Sequence, residues 1–188
     1  MATVTGLYTA PDSGEPMIAH DAVTLTDNGI ENDRYATGNG HFAPFDTCEV
    51  TLIAQTAIDH AADDHGIDIG DGRHRRNVVC EGIDLRDLLD ATVRIGDAVI
   101  RGTRPRPPCA HLEEASGLDG VAAALTDGRG GICADVHYPG TVAVGDEITI
   151  LEPDPETVGR RIAARLADGD PERVDLPAPT DDRRHPTE

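Results

Sequence analysis

Residues 92–100 (TVRIGDAVI) and 141–149 (TVAVGDEIT) share one pattern, in which alternating apolar residues flank a Gly-Asp pair. A period of two marks a strand with one buried face, and Gly-Asp between two such runs reads as a turn. Two hairpins of one design suggest a β-barrel; repeated use of one favourable turn would leave the same trace. Further strands are expected at residues 1–9, 21–26, 49–53, 78–80 and 132–137. A helical period places a helix at residues 56–65, closed by Gly66, and another is expected over 118–125.

Between these elements, residues 27–46 are polar and glycine-rich and read as a long loop, a length usually kept for function. The reading is thus a mostly β domain with short helices over residues 1–151. Asp154 and Pro155 then form an N-cap and first-turn pair, Val158, Ile162 and Leu166 a stripe, and Gly169 a stop, which predicts a C-terminal helix over 152–170. Residues 171–188 are acidic and proline-rich and are expected to be disordered.

Charge narrows the functional classes. The chain has 35 acidic and 16 basic residues, a net charge of −19, and every basic residue is arginine. The carboxylates run along the whole length, which points to adaptation to a salty cytoplasm rather than to one basic partner. In roughly molar salt the Debye length falls to about 3 Å, and such carboxylates cease to repel one another. Nucleic acid binding is disfavoured, because no basic face of the needed density exists. No apolar run approaches a membrane span and no signal peptide is evident, so a cytoplasmic protein is expected. Cys48, Cys80, Cys109 and Cys133 follow no disulfide-framework spacing and are expected as thiols.

The stretch from Arg104 to Glu114, RPRPPCAHLEE, is where positive charge, a stiff backbone and a nucleophile coincide. Pro107 and Pro108 fix the approach to Cys109, and a helical turn is expected from Ala110 to Glu114. A thiol near a helix N-terminus with Arg104 and Arg106 behind it is biased toward thiolate. A lone cysteine is also commonly a small packing residue. Zinc is a poor alternative, since Cys109 and His111 do not have the spacing of structural zinc ligands. A second positive island, Arg73, Arg75 and Arg76 ahead of Asn77, is either a solvated face or a set of planar forks suited to phosphate.

Read in order, ENDRYA at residues 31–36 with Gly38 and Gly40, RRNVV at 75–79 with EGIDL at 81–85, IGD at 95–97, Pro108-Cys109 with Leu112-Glu113, RGG at 129–131 and VGD at 144–146 resemble successive motifs of the MOSC domain family. Asn32 stands where the family's early motif reads glycine. The resemblance implies a β-barrel that binds molybdenum cofactor, with Cys109 as metal ligand or sulfur carrier. It implies Arg75, Arg76 and Asn77 as phosphate and pterin contacts, with Asp33, Arg34 and Arg129 as further candidates. Pyridoxal phosphate binding is carried only as a family-level description. Two functions follow from the resemblance: reduction of N-hydroxylated or N-oxide small molecules at a Cys109-ligated molybdenum centre, or carriage of persulfide sulfur or cofactor without turnover. The first needs an external electron donor protein, because the chain has no iron–sulfur spacing, dinucleotide fingerprint or flavin motif.

Overall fold

The computed structural model describes residues 1–40 and 48–151. The predicted C-terminal helix and tail lie outside the described residues. A compact unit runs over Met1–Glu152. In chain order it comprises β1 (Thr3–Thr9), β2 (Ile18–His20), β3 (Ala22–Thr26), β4 (Gly29–Ile30), β5 (Val50–Ala54), α1 (Gln55–His65), β6 (Val78–Glu81) and a 3-10 turn (Leu85–Leu88). β7 (Thr92–Ile95), β8 (Ala98–Pro105), α2 (Ala110–Ser116), α3 (Val121–Ala124), β9 (Ile132–Tyr138), β10 (Gly140–Ala143) and β11 (Ile148–Ile150) follow. The class is mostly β, as the alternating patterns require. Part of the predicted 27–46 loop is structured, since β4 falls within it. The helix expected over 118–125 shrinks to one turn, because Gly120 takes a left-handed φ of 82° just ahead of Val121.

The large sheet is ordered β11-β7-β8-β9-β5-β6-β1-β2, and β10-β3-β4 form a second. Neither closes into the expected barrel, and β1 supplies the reason. From Leu7 to Thr9 its outer edge is taken by β2. Only its first residues remain to meet the far end of the sheet, through one isolated bridge, Thr3 to Glu147. Val4 N–H donates to Asp146 O and Ile148 N–H to Ala2 O, both at 2.9 Å. A ladder with so little free edge cannot propagate.

The two Gly-Asp motifs also part company. The first is a hairpin, with Ile95 opposite Ala98 across the Gly96-Asp97 turn. The second is not: β10 pairs with β3 and β11 with β7, so the Gly145-Asp146 turn carries the chain from one sheet to the other. The Asp146 carboxylate holds Ala143 N–H at 2.8 Å, and a Cβ on Gly96 would collide with that same carboxylate. The two turns thus pack on each other instead of repeating one hairpin.

β5 and β6 form the parallel pair, which needs a crossover, and α1 supplies it. Its C-cap Gly66 sits at φ 68°, as the sequence predicts. Val50 to Ile53 are buried without alternation because β5 is covered on both faces. Leu52, Val78 and Cys80 face a core shared with Leu7, Ile100 and Ala134, whereas Ile53 and Val79 face a second core beneath the helices with Ile58, Leu112 and Leu125. The interior is aliphatic, in keeping with 3% aromatic content.

Candidate functional site

The loop after β4 and the segment before β6 meet at a buried cluster. Asp33 has no exposed surface; its carboxylate accepts from Ala10 N–H at 2.9 Å, Tyr35 N–H at 3.2 Å and Arg34 Nη1 at 3.2 Å. Arg34 Nη2 donates to Arg75 O at 3.0 Å, and Nη1 lies 3.2 Å from Met17 Sδ. Asn32, where the family motif has glycine, takes φ 62°, a left-handed conformation that asparagine tolerates better than most residues. The turn that presents Asp33 and Arg34 therefore survives the exchange.

Arg75 is itself left-handed at φ 61° and reaches across to the β1–β2 turn, with Nη2 donating to Ser13 O at 2.6 Å and Nη1 to Glu15 O. Arg76 donates from Nε to Gly130 O at 2.8 Å and from Nη1 to His74 O at 3.1 Å. No carboxylate among the described residues pairs with Arg76. Burial, and then the charge of Arg106, push its guanidinium down to about 10; burial and the neighbouring Arg34 lower Arg75 too. Positive charge is concentrated here beyond what Asp33 offsets.

Tyr35 lies between two cations, Arg34 of this cluster and Arg106. Arg34 Cζ sits 4.6 Å and Arg106 Cζ 5.3 Å from its ring centre, and Arg106 Nη2 donates to its hydroxyl at 2.7 Å. His74 is fully buried; Nδ1 accepts from Arg76 N–H at 3.0 Å, which leaves Nε2 as a donor, and that atom has no partner among the described residues. The ring stands edge-on to Tyr8 at 5.0 Å.

Burial pushes His74 from 6.5 down to about 3, with Arg76 adding to the effect. A depressed value means that the stability it contributes is complete above pH 6.5 and is lost as pH falls from 6.5 toward 3. The loss is about 1.4 kcal/mol per pH unit in that window. Nitrogen NMR should find the His74 ring neutral at pH 5; an imidazolium pattern there would contradict this placement.

Cys109 is exposed and stands at the N-cap of α2 with φ −146° and ψ 170°, its carbonyl accepting from Leu112 N–H at 2.9 Å. The segment leading to it is held where β8 pairs with β9, up to Pro105 opposite Ile132, and by Arg106 N–H to Gly131 O at 2.8 Å. Gly130 joins it to the arginines. Its carbonyl accepts from Arg76, and a Cβ on it would collide with Arg106 O and Pro108. Cys109 is thus next in chain to a proline that packs on Arg76's acceptor residue. A cavity of about 430 Å³ opens beside Arg75, between Gly14 and Met17, Gly72, and the end of α2 at Ala115 and Ser116.

Of the residues singled out from sequence, Asp33, Arg34, Arg75 and Arg76 form one cluster, with Cys109 adjoining through Pro108 and Gly130. Asn77 stands apart in role: its Oδ1 accepts from Thr51 N–H at 3.1 Å and Oγ1 at 2.7 Å, and Nδ2 donates to Tyr8 O at 3.0 Å. Arg129 donates within its own turn, to Thr126 O and Asp127. The Arg106 guanidinium turns to Tyr35 and to Cys133 Sγ, 3.6 Å away. Sequence reasoning did not find Tyr35, His74 or Cys133, whose relevance depends on pairings no local pattern encodes.

The family model of the MOSC domain matches residues 37–149, and the chain belongs to this family. Among solved structures, the YuaD protein of Bacillus subtilis is similar with a TM-score of 0.66 at 21% identity, over 82% of this chain and 98% of that one. YiiM of Escherichia coli gives 0.60 at 20% identity, over 82% and 71%. YiiM of Geobacillus stearothermophilus gives 0.60 at 14% identity, over 92% and 87%. No curated protein matches the sequence. No helix among the described residues is long and apolar enough to cross a membrane.

Proposed function

We propose that the chain binds molybdenum cofactor at the Asp33, Arg34, Arg75 and Arg76 cluster, ligates its metal with Cys109, and serves as the reductase component for N-hydroxylated or N-oxide small molecules. The observation that carries this reading is the buried cluster of Arg34, Arg75 and Arg76, in which Asp33 is the one carboxylate paired with an arginine among the described residues, so that a phosphate would meet unbalanced positive charge. The donor set fits the group. Planar guanidinium forks suit a phosphate, the buried Asp33 carboxylate holds Arg34 in place, and a soft thiol suits the metal. Cys109 offers one sulfur, so the metal must bring its other ligands with it. Asn77 supports the cluster from within the sheet. When bound, the cofactor would supply oxygen-atom chemistry. The protein's own part is to grip the phosphate, hold Cys109 at the end of a proline-stiffened segment, and leave a cavity beside Arg75 for a small substrate. Electrons come from a separate donor protein.

The exposure of Cys109 also suits a second reading, in which a partner delivers persulfide sulfur to that thiol. Turnover separates the two. With a reduced viologen dye as electron donor, cofactor-loaded protein should reduce an N-hydroxyamidine catalytically. Absence of turnover together with cyanide-labile sulfur on Cys109 would replace the reductase by the carrier.

A further inference from the structure

The turn between β1 and β2 is exposed from Pro11 to Pro16, apart from the half-buried Ser13. Within it Glu15 N–H donates to Asp12 O at 3.3 Å and Gly14 N–H to the Asp12 carboxylate at 3.1 Å. Among the described residues, the hydrogen bonds that tie residues 12–16 to the rest of the fold both come from Arg75, through Nη2 to Ser13 O at 2.6 Å and Nη1 to Glu15 O. The same turn walls the cavity beside Arg75, which Gly14, Pro16 and Met17 line together with Gly72 and Arg73. The other two buried arginines have partners deeper in the fold. Arg34 donates to Asp33 and to Arg75 O, and Arg76 to Gly130 O and His74 O.

We propose that Arg75 is a latch that exchanges partners: its fork holds the β1–β2 turn and passes to the phosphate when the cofactor binds, so that loading frees the turn that walls the cavity. This rests on the phosphate reading given above. Two neutral carbonyls and one anion compete for the same two N–H groups, and the contact with the anion is the stronger because both partners are charged. The turn gives up little in the exchange. Ser13 O and Glu15 O belong to an exposed segment, so water replaces the guanidinium once it leaves. Arg34 has no such freedom, because releasing it would strand the carboxylate of Asp33, which has no exposed surface. Arg75 is thus the arginine of the cluster that can change partners at least cost. Access to the cavity is thereby coupled to cofactor loading.

The test uses the full chain in high salt, with inorganic phosphate as the probe. A nitroxide on Gly14→Cys reports the turn; the position is exposed, and a Cβ there meets only Asp12 Oδ1, at 4.0 Å. Cys109→Ser in the same chain removes the exposed thiol, and the other three cysteines are buried, so the label goes to one place. Calorimetry on the same sample measures phosphate binding. The nitroxide correlation time should shorten by about threefold as phosphate binds, with the same half-saturation in both measurements. Arg75→Gln in that background should be mobile without phosphate and unmoved by it. Phosphate that binds without changing the spectrum would overturn the exchange and leave the phosphate reading standing. Calorimetry that finds no binding would overturn both. A label as slow in Arg75→Gln as in its parent would overturn the latch by itself, and the parent's titration carries the test should that variant fold poorly.

Discussion

Asn77→Ala is expected to lower the stability of the fold by about 3–5 kcal/mol, because it strands several buried groups at once. The Asn77 amide joins Thr51 N–H and Oγ1 on β5 to Tyr8 O on β1, and its own N–H donates to Thr51 Oγ1 at 3.0 Å. Both Asn77 and Thr51 are fully buried, so the groups left without the amide are shut off from bulk solvent. The melting temperature should fall by roughly 10 °C in high salt. This separates a strut from a ligand. An Asn77 that served only the cofactor would leave the cofactor-free melt where it was and lower occupancy instead.

Cys109→Ser should do the reverse. The thiol is exposed and its side chain makes no capping bond to α2, so the melt should stay within about 1 °C. Metal retained after gel filtration should fall by about tenfold or more, since a hard hydroxyl replaces a soft sulfur ligand. Equal molybdenum in the variant and the parent would remove Cys109 from the site. The two substitutions together divide the sequence motifs into those that build the site and those that meet its contents.

What was legible in the sequence depended on how local the determining physics is. The β7–β8 hairpin, α1 with its Gly66 cap, and the turn of α2 after Cys109 follow from short-range pattern and appear where expected. The second Gly-Asp motif carries the same local signal, yet its flanking strands join different sheets, because the partner of β10 is β3, over a hundred residues earlier. Closure of the barrel failed for a similar reason: which edge of β1 is free depends on β2, not on β1's own residues. At the site, arginine clustering gave away Arg75 and Arg76, but the motif did not say that Asn77 beside them faces Thr51 and Tyr8. Cys133 falls in none of the motifs read from the sequence. It lies in a buried apolar strand, and only the β8–β9 pairing brings Arg106 to its sulfur.

The arginine pair and the exposed thiol come from segments more than thirty residues apart, joined at Gly130, and the account stands or falls on what that junction holds. The most direct test is molybdenum and pterin per chain, measured by metal and fluorescence analysis on protein made in a host that synthesises the cofactor. Purification must stay in high salt, since at a net charge of −19 dilute buffer leaves the carboxylates unscreened. The account predicts one molybdenum and one pterin per chain, within the scatter of the assay. Protein that is folded in that salt, carries an intact Cys109 and holds neither would contradict it.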